Sequence, residues 1–194
     1  MENQLRYYHV TELVGSRTPR HKLPDRVQKD MDAGSRIHEA LAETHRKIPG
    51  RFCEQTQINY LYEDTGKESK ILGFLVGTPD MFWIYKGALY IVDYKTTTAK
   101  KFYVTKAIWN QLSFYAVMIL NNYCGGMAPY ITKVVLEVWV YGRRRTIKES
   151  INNLLFTEKA ECSAPNLLKG VLQHIQLKLL KPMLLAPQSR GYII

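Results

Sequence analysis

Residues 77–95 read Gly-Thr-Pro-Asp-Met-Phe-Trp-Ile-Tyr-Lys-Gly-Ala-Leu-Tyr-Ile-Val-Asp-Tyr-Lys. Two runs rich in aromatic and β-branched residues, Met81 to Tyr85 and Ala88 to Tyr94, flank a Lys86-Gly87 pair that can turn the chain. A two-residue turn sets Tyr85 opposite Ala88. Counting outward from there sets Asp80 opposite Asp93. Directly opposed side chains lie roughly 4.5–5.5 Å apart at Cβ, where two like charges repel unless something neutralises them. A divalent cation with oxygen ligands would do so. Lys95 is two residues past Asp93 and projects from the same face of the strand. Phe82, Ile84, Leu89 and Ile91 share that face, so the carboxylates end an apolar stripe and need partners. A D-x-K tripeptide alone is common as a solvated strand end. The pairing with Asp80 sets a metal site against a structural ion cluster as the two readings of this one.

The 194 residues are enough for one domain with a hydrophobic core. The net charge of +10 points to a polyanionic partner, nucleic acid first among them. Three widely separated cysteines, Cys53, Cys124 and Cys162, form no C-x-x-C pair, so zinc and iron–sulfur sites have little support. An odd count without an apolar leader predicts reduced thiols in an intracellular, cytoplasmic protein. No apolar run reaches transmembrane length.

Outward from the hairpin, residues 1–25 read as an extended, turn-rich lead. A helix is predicted from Arg26 to about Lys47, capped by Asp25, with Val27, Met31, Ile37, Leu41 and Ala42 on one stripe. A strand is predicted from Arg51 to Tyr62, a polar turn from Glu63 to Lys70, and a short strand from Ile71 to Val76. A helix follows over Ala107 to Asn121, then a strand over Ile131 to Tyr141. A last amphipathic helix is expected over 163–185. The expected fold is α/β, a mixed central β-sheet flanked by helices, with the functional core in 26–148.

His38 lies on the stripe of the first helix, either as a core histidine or as a ligand beside the two carboxylates. Gly34, one turn before it, would permit close helix–sheet approach. Gln111 and Tyr115 share a face of the later helix, and the amide stands among apolar neighbours. They read as a surface–core boundary, or as groups that hold a substrate or orient Lys95. Glu54 is a strand carboxylate that could lie near the site. Thr96 and Thr97, then Lys100 and Lys101, could contact phosphates. Arg143, Arg144 and Arg145 are a phosphate-binding ridge or a solvated strand end.

His38, Asp80, Asp93-Tyr94-Lys95 and Gln111-x-x-x-Tyr115, in this order, resemble the RecB-type branch of the PD-(D/E)XK nuclease superfamily. The match spans about residues 34–115. Beyond it the chain is similar to the small CRISPR-associated RecB-like exonucleases and their viral relatives. Val10-Thr11-Glu12-Leu13 and Thr18-Pro19-Arg20 look like that group's opening, with Thr18 where the group has cysteine. No cysteine follows the last helix, so no iron–sulfur cluster is expected. The resemblance implies a restriction-endonuclease-like core and a Mg²⁺- or Mn²⁺-dependent deoxyribonuclease, an exonuclease on single-stranded DNA or DNA ends. It implies metal ligation by His38, Asp80, Asp93 and the Tyr94 carbonyl, with Lys95 catalytic and Gln111 and Tyr115 completing the site. The alternatives are a strand- or structure-selective endonuclease on the same core and a non-catalytic DNA-binding relative. A compact, cluster-free form suits recombination or repair in a virus or mobile element, with the host cytoplasm as its compartment. Oligomeric state stays open.

Overall fold

In the computed structural model of this chain, the described residues are 5–15, 24–64, 69–123, 130–179 and 183–187. Thr18-Pro19-Arg20, Cys124, the Gly125-Gly126 and Pro129 break, and the end of the tail lie outside them.

The hairpin has the expected register. Strands β5 (Met81–Tyr85) and β6 (Ala88–Thr97) pair antiparallel, with Tyr85 opposite Ala88 and Met81 opposite Val92. Lys86 and Gly87 both adopt positive φ, 47° and 72°. That is the conformation a two-residue turn needs to match the twist of the strands it joins. β6 then pairs in parallel with β7 (Lys133–Gly142), which pairs antiparallel with β8 (Leu154–Ser163). With β2 (Phe52–Cys53) on the far edge, these form a five-stranded mixed sheet in the order β2-β5-β6-β7-β8.

A second, four-stranded sheet has the order β1-β4-β3-β9. It contains β1 (Arg6–His9), β3 (Gln57–Asp64), β4 (Ser69–Gly77) and β9 (Met183–Pro187). The expected α/β core with a mixed sheet flanked by helices is present, and this second sheet is an addition to it. The predicted strand over 51–62 is two strands in different sheets. Glu54, at φ 53°, breaks it, and the chain passes from one sheet to the other at 54–56. It returns at 78–80, and the hydroxyls of Thr56 and Thr78 bond across the two crossings at 3.0 Å.

Helix α2 (Asp25–Arg46) covers one face of the five-stranded sheet, and α3 (Lys106–Tyr123) covers the other. The alternation along β5 and β6 divides the core accordingly. Phe82, Leu89 and Ile91 join Leu112 and Phe114 of α3, while Met81, Val92 and Tyr94 join Ile37 and Leu41 of α2. Leu61 and Leu75 of the second sheet belong to the α3 core, so both sheets share it.

Several expectations at the ends are also corrected. The lead contains β1 and the short helix α1 (Val10–Leu13), whose Val10 and Leu13 are buried. Asp25 is the first helical residue of α2 and follows Pro24, with no side-chain cap. Val27 and Met31 are exposed, so the buried stripe begins only at Ile37. After Arg145 comes α4 (Ile147–Ile151), opened by a reciprocal capping pair of Thr146 and Glu149, and then β8. The sheet core thus reaches Ser163, beyond the expected limit of 148. The last helix, α5 (Ala164–Leu179), stops before β9, which pairs with β3 where helix was expected to continue. Among the described residues no helix is long and apolar enough to cross a membrane.

Gly77, where β4 ends, lets α3 approach. A Cβ there would lie 2.6 Å from the Tyr115 ring and 3.0 Å from Val10. Gly77→Ala should lower unfolding free energy by about 1–3 kcal/mol, as overpacked cores do, in urea titrations. An unchanged midpoint would show that Tyr115 is free to move aside.

Candidate active site

The site lies where β5 begins and β6 nears its end, between α2 and α3. Each acidic residue draws partners from a different face. Asp93 is buried on the α3 side. Its Oδ1 accepts from Gln111 Nε2 at 3.3 Å, and the same amide donates to the Tyr115 hydroxyl at 3.0 Å. Lys95 Nζ stands 2.6 Å from Asp93 Oδ2. At that distance the ammonium and the buried carboxylate oxygen form a charge-assisted hydrogen bond.

Asp80 turns the other way. Its Oδ2 accepts the Tyr94 amide at 2.6 Å, and its Oδ1 lies 3.5 Å from His38 Nδ1. The Asp80 carbonyl accepts from the Glu54 amide at 3.1 Å, which ties β2 to the site. His38 reaches the carboxylate because α2 sits close to β6. A Cβ on Gly34 would lie 3.1 Å from the Thr96 hydroxyl.

The sequence argument required a cation to offset two facing carboxylates. Lys95 supplies one such charge, and His38 would supply a second when protonated. Burial works to raise the Asp80 carboxyl, but His38, Lys95 and the Tyr94 amide outweigh it and hold it below the usual range. Asp93 ends above its usual range, pushed first by burial and also by Asp80, against the pull of Lys95. Burial disfavours the Lys95 ammonium, yet Asp93 and Asp80 raise its pKa overall, so it is held charged. His38 is likewise raised, with Asp80 overcoming burial.

Among the described residues no three His, Cys, Asp or Glu side chains converge as a ready metal cage. The donor chemistry of His38, Asp80 and Asp93 suits a hard divalent ion, which would take Asp93 Oδ2 over from Lys95.

Other expected residues have mixed placements. Gln111 and Tyr115 reach the site through Asp93; no bond from either to Lys95 accompanies that contact. Thr97 is buried, and its hydroxyl oxygen accepts from the Ala99 amide, so it shapes the turn after β6. Arg143 pairs with the Asp30 carboxylate and main-chain carbonyl, both at 3.0 Å, and fastens α2 to the end of β7. Arg144, Arg145, Lys100 and Lys101 are exposed. Glu54 points to Arg46 on α2 at 3.3 Å.

Sequence reasoning missed His45. Its Nδ1 shares a hydrogen bond with the Tyr94 hydroxyl at 2.5 Å, and its ring meets Trp139 edge-on. His38 also meets the Tyr94 ring edge-on, with centroids 5.9 Å apart. The signal was present: His38 and His45 are seven residues apart, two turns along one helix face. The Tyr94 side chain is thus held between two histidines of α2 while its amide holds Asp80.

No protein-family model matches this chain, and no curated protein matches it. Solved structures do match. One, described as "Crystal structure of SSO0001", is 14% identical, has a TM-score of 0.49, and covers 91% of this chain and 79% of that one.

Burial first and Arg51 second lower the pKa of His45 from its ordinary 6.5. The unfolded chain therefore takes up this proton more readily than the folded one. The stabilising contribution is present above 6.5 and is lost as pH falls below it. Urea melts between about pH 7.5 and 5.5 should show a larger loss of stability in the wild type than in His45→Gln. Equal losses would remove His45 from this role. His38, shifted the opposite way, is common to both proteins and cancels in the comparison.

Proposed function

We propose that this chain is a metal-dependent deoxyribonuclease on a RecB-type PD-(D/E)XK, restriction-endonuclease-like core. The reading rests on one observation. A single hairpin gathers Asp80, Asp93 and Lys95, and a helix on each face adds His38 or Gln111. Phosphodiester hydrolysis needs a positioned water, charge to meet the negative phosphorane-like transition state, and a proton for the departing oxygen.

The chain's own residues divide this work. Lys95 is held as an ammonium, so it serves as a fixed positive charge beside the scissile phosphate, or as a proton donor, in preference to a base. Gln111 locks the Asp93 carboxylate in one rotamer, and the Tyr94 amide does the same for Asp80. His38, Asp80, Asp93 and the Tyr94 carbonyl would hold Mg²⁺ or Mn²⁺. When bound, such an ion polarises a phosphate oxygen and lowers the pKa of a bound water. The +10 charge and the exposed Arg144, Arg145, Lys100 and Lys101 favour a polyanionic substrate; single-stranded DNA or DNA ends are what the RecB-type resemblance implies.

One observation favours a second reading, a non-catalytic DNA-binding protein. Asp93 is paired with Lys95, and Asp80 has His38 beside it, as in a purely structural ion cluster. Cleavage of end-labelled oligonucleotides with Mn²⁺ and with EDTA decides between them. The nuclease reading expects Mn²⁺-dependent cutting that Asp93→Asn and Lys95→Ala reduce by at least about 100-fold, with DNA binding retained. Asp93→Asn is the more informative variant. It keeps the shape of a group whose charged form is already disfavoured, whereas losing Lys95 leaves a buried carboxylate unpaired, at about 3–5 kcal/mol. Unchanged cutting by folded Asp93→Asn would overturn the assignment. A circular single-stranded substrate separates the two nuclease modes, since an exonuclease has no end on it to engage.

A further inference from the structure

The segment between β6 and α3 reads Lys100-Lys101-Phe102-Tyr103-Val104-Thr105-Lys106. Its aromatic residues point in opposite directions. Phe102 and Val104 are partly buried against the α3 core, whereas Tyr103 is 74% exposed. Lys100, Lys101 and Lys106 beside it are exposed as well. Two inward anchors thus hold one tyrosine ring out in water among cations.

The sheet register locates this segment. Lys95 aligns with Val140 on β7, and Val140 with Phe156 on β8. Residues so aligned share a face, and Phe156 lies two strand spacings from Lys95, about 10 Å. The Phe102 ring meets that of Phe156 with centroids 6.5 Å apart. The segment therefore folds over the α3 face of the sheet at the level of Lys95. It then enters α3, where Gln111 comes five residues after the helix starts, about 7.5 Å along its axis. Among the described residues, the other strongly exposed tyrosines lie elsewhere. Tyr85 flanks the hairpin turn, Tyr130 lies next to residues that bond Gly87 at that same far end, and Tyr7 stacks on Phe74 of the second sheet.

We propose that Tyr103, flanked by Lys100 and Lys101, is a base-stacking platform that gives the neighbouring site its preference for unpaired nucleic acid. An aromatic face accepts any base, but only where the base is not already stacked and paired within a duplex. The lysines hold the backbone without regard to strandedness. The inference rests on the nucleic-acid reading above and deepens it by naming the residue that selects an unpaired strand.

The test is fluorescence anisotropy of the full chain with a labelled oligothymidylate and with a blunt hairpin duplex of equal length. EDTA is present, so binding is read without cutting. Tyr103→Ala should weaken oligothymidylate binding roughly 5- to 100-fold, the range of base–aromatic stacking, and leave duplex binding within about twofold. Tyr103→Trp should restore the single-strand affinity. Lys101→Ala should weaken both substrates and flatten their salt dependence. Equal effects of Tyr103→Ala on the two substrates, or none on the oligothymidylate, overturn the inference, as does a wild-type chain that binds neither. A chain that binds as expected but never cuts with Mn²⁺ overturns the nuclease reading and leaves the platform standing.

Discussion

The register of one two-residue turn governs the site. Because Lys86 and Gly87 take positive φ, Tyr85 faces Ala88, and each outward step is fixed as far as Met81 opposite Val92; one residue further out on each side come Asp80, turned to α2, and Asp93, turned to α3. A slip of one residue would exchange the faces of the whole strand. Asp93 would leave Gln111 for the α2 side, and Tyr94 would lose its place between His38 and His45. Burial on both faces of β6 prevents such a slip. The strand reads as a nearly continuous apolar run, as a central strand paired in parallel does, and each residue has its own pocket in one of two cores.

Electrostatics then turns this geometry into a poised arrangement. Two carboxylates each hold a basic partner, Asp93 an ammonium at 2.6 Å and Asp80 an imidazole at 3.5 Å, and only Asp93 is fully buried. The partition is asymmetric. Asp80 has an imidazole and a main-chain amide and is held as an anion, while Asp93 has a lysine and a side-chain amide yet keeps a raised pKa. Environments that push two like groups apart are how one site assigns different tasks to chemically identical residues.

Much of this was legible in the sequence wherever the informative residues were close along the chain. The turn type, the hairpin pairing and the face shared by Asp93 and Lys95 all follow from a period of two. The helical spacing of Gln111 and Tyr115, and the small residue one turn before His38, also carried over to contacts. The strand over 51–62 failed for a local reason. Glu54 occupies a left-handed conformation that its side chain does not announce, so nothing marked the point where the chain changes sheets. β8 was missed because its side chains are almost all exposed and its composition is mixed, leaving no apolar alternation to detect. β9 was hidden by a helical pattern that runs into it, and only its pairing with β3 fixes it as a strand.

Sequence by itself determined the elements of short range: an α/β chain, a hairpin flanked by Asp80 and Asp93, Lys95 on the face of Asp93, and helices that contain His38 and Gln111. Those follow from strand and helix periodicity, which act over a few residues. Tertiary structure alone decided which partners those groups chose. That Arg143 holds Asp30, that His45 reaches Tyr94, and that Gln111 bonds Asp93 are outcomes of packing between segments tens of residues apart. The free energy of such contacts depends on distance and burial, and neither quantity is encoded in local spacing.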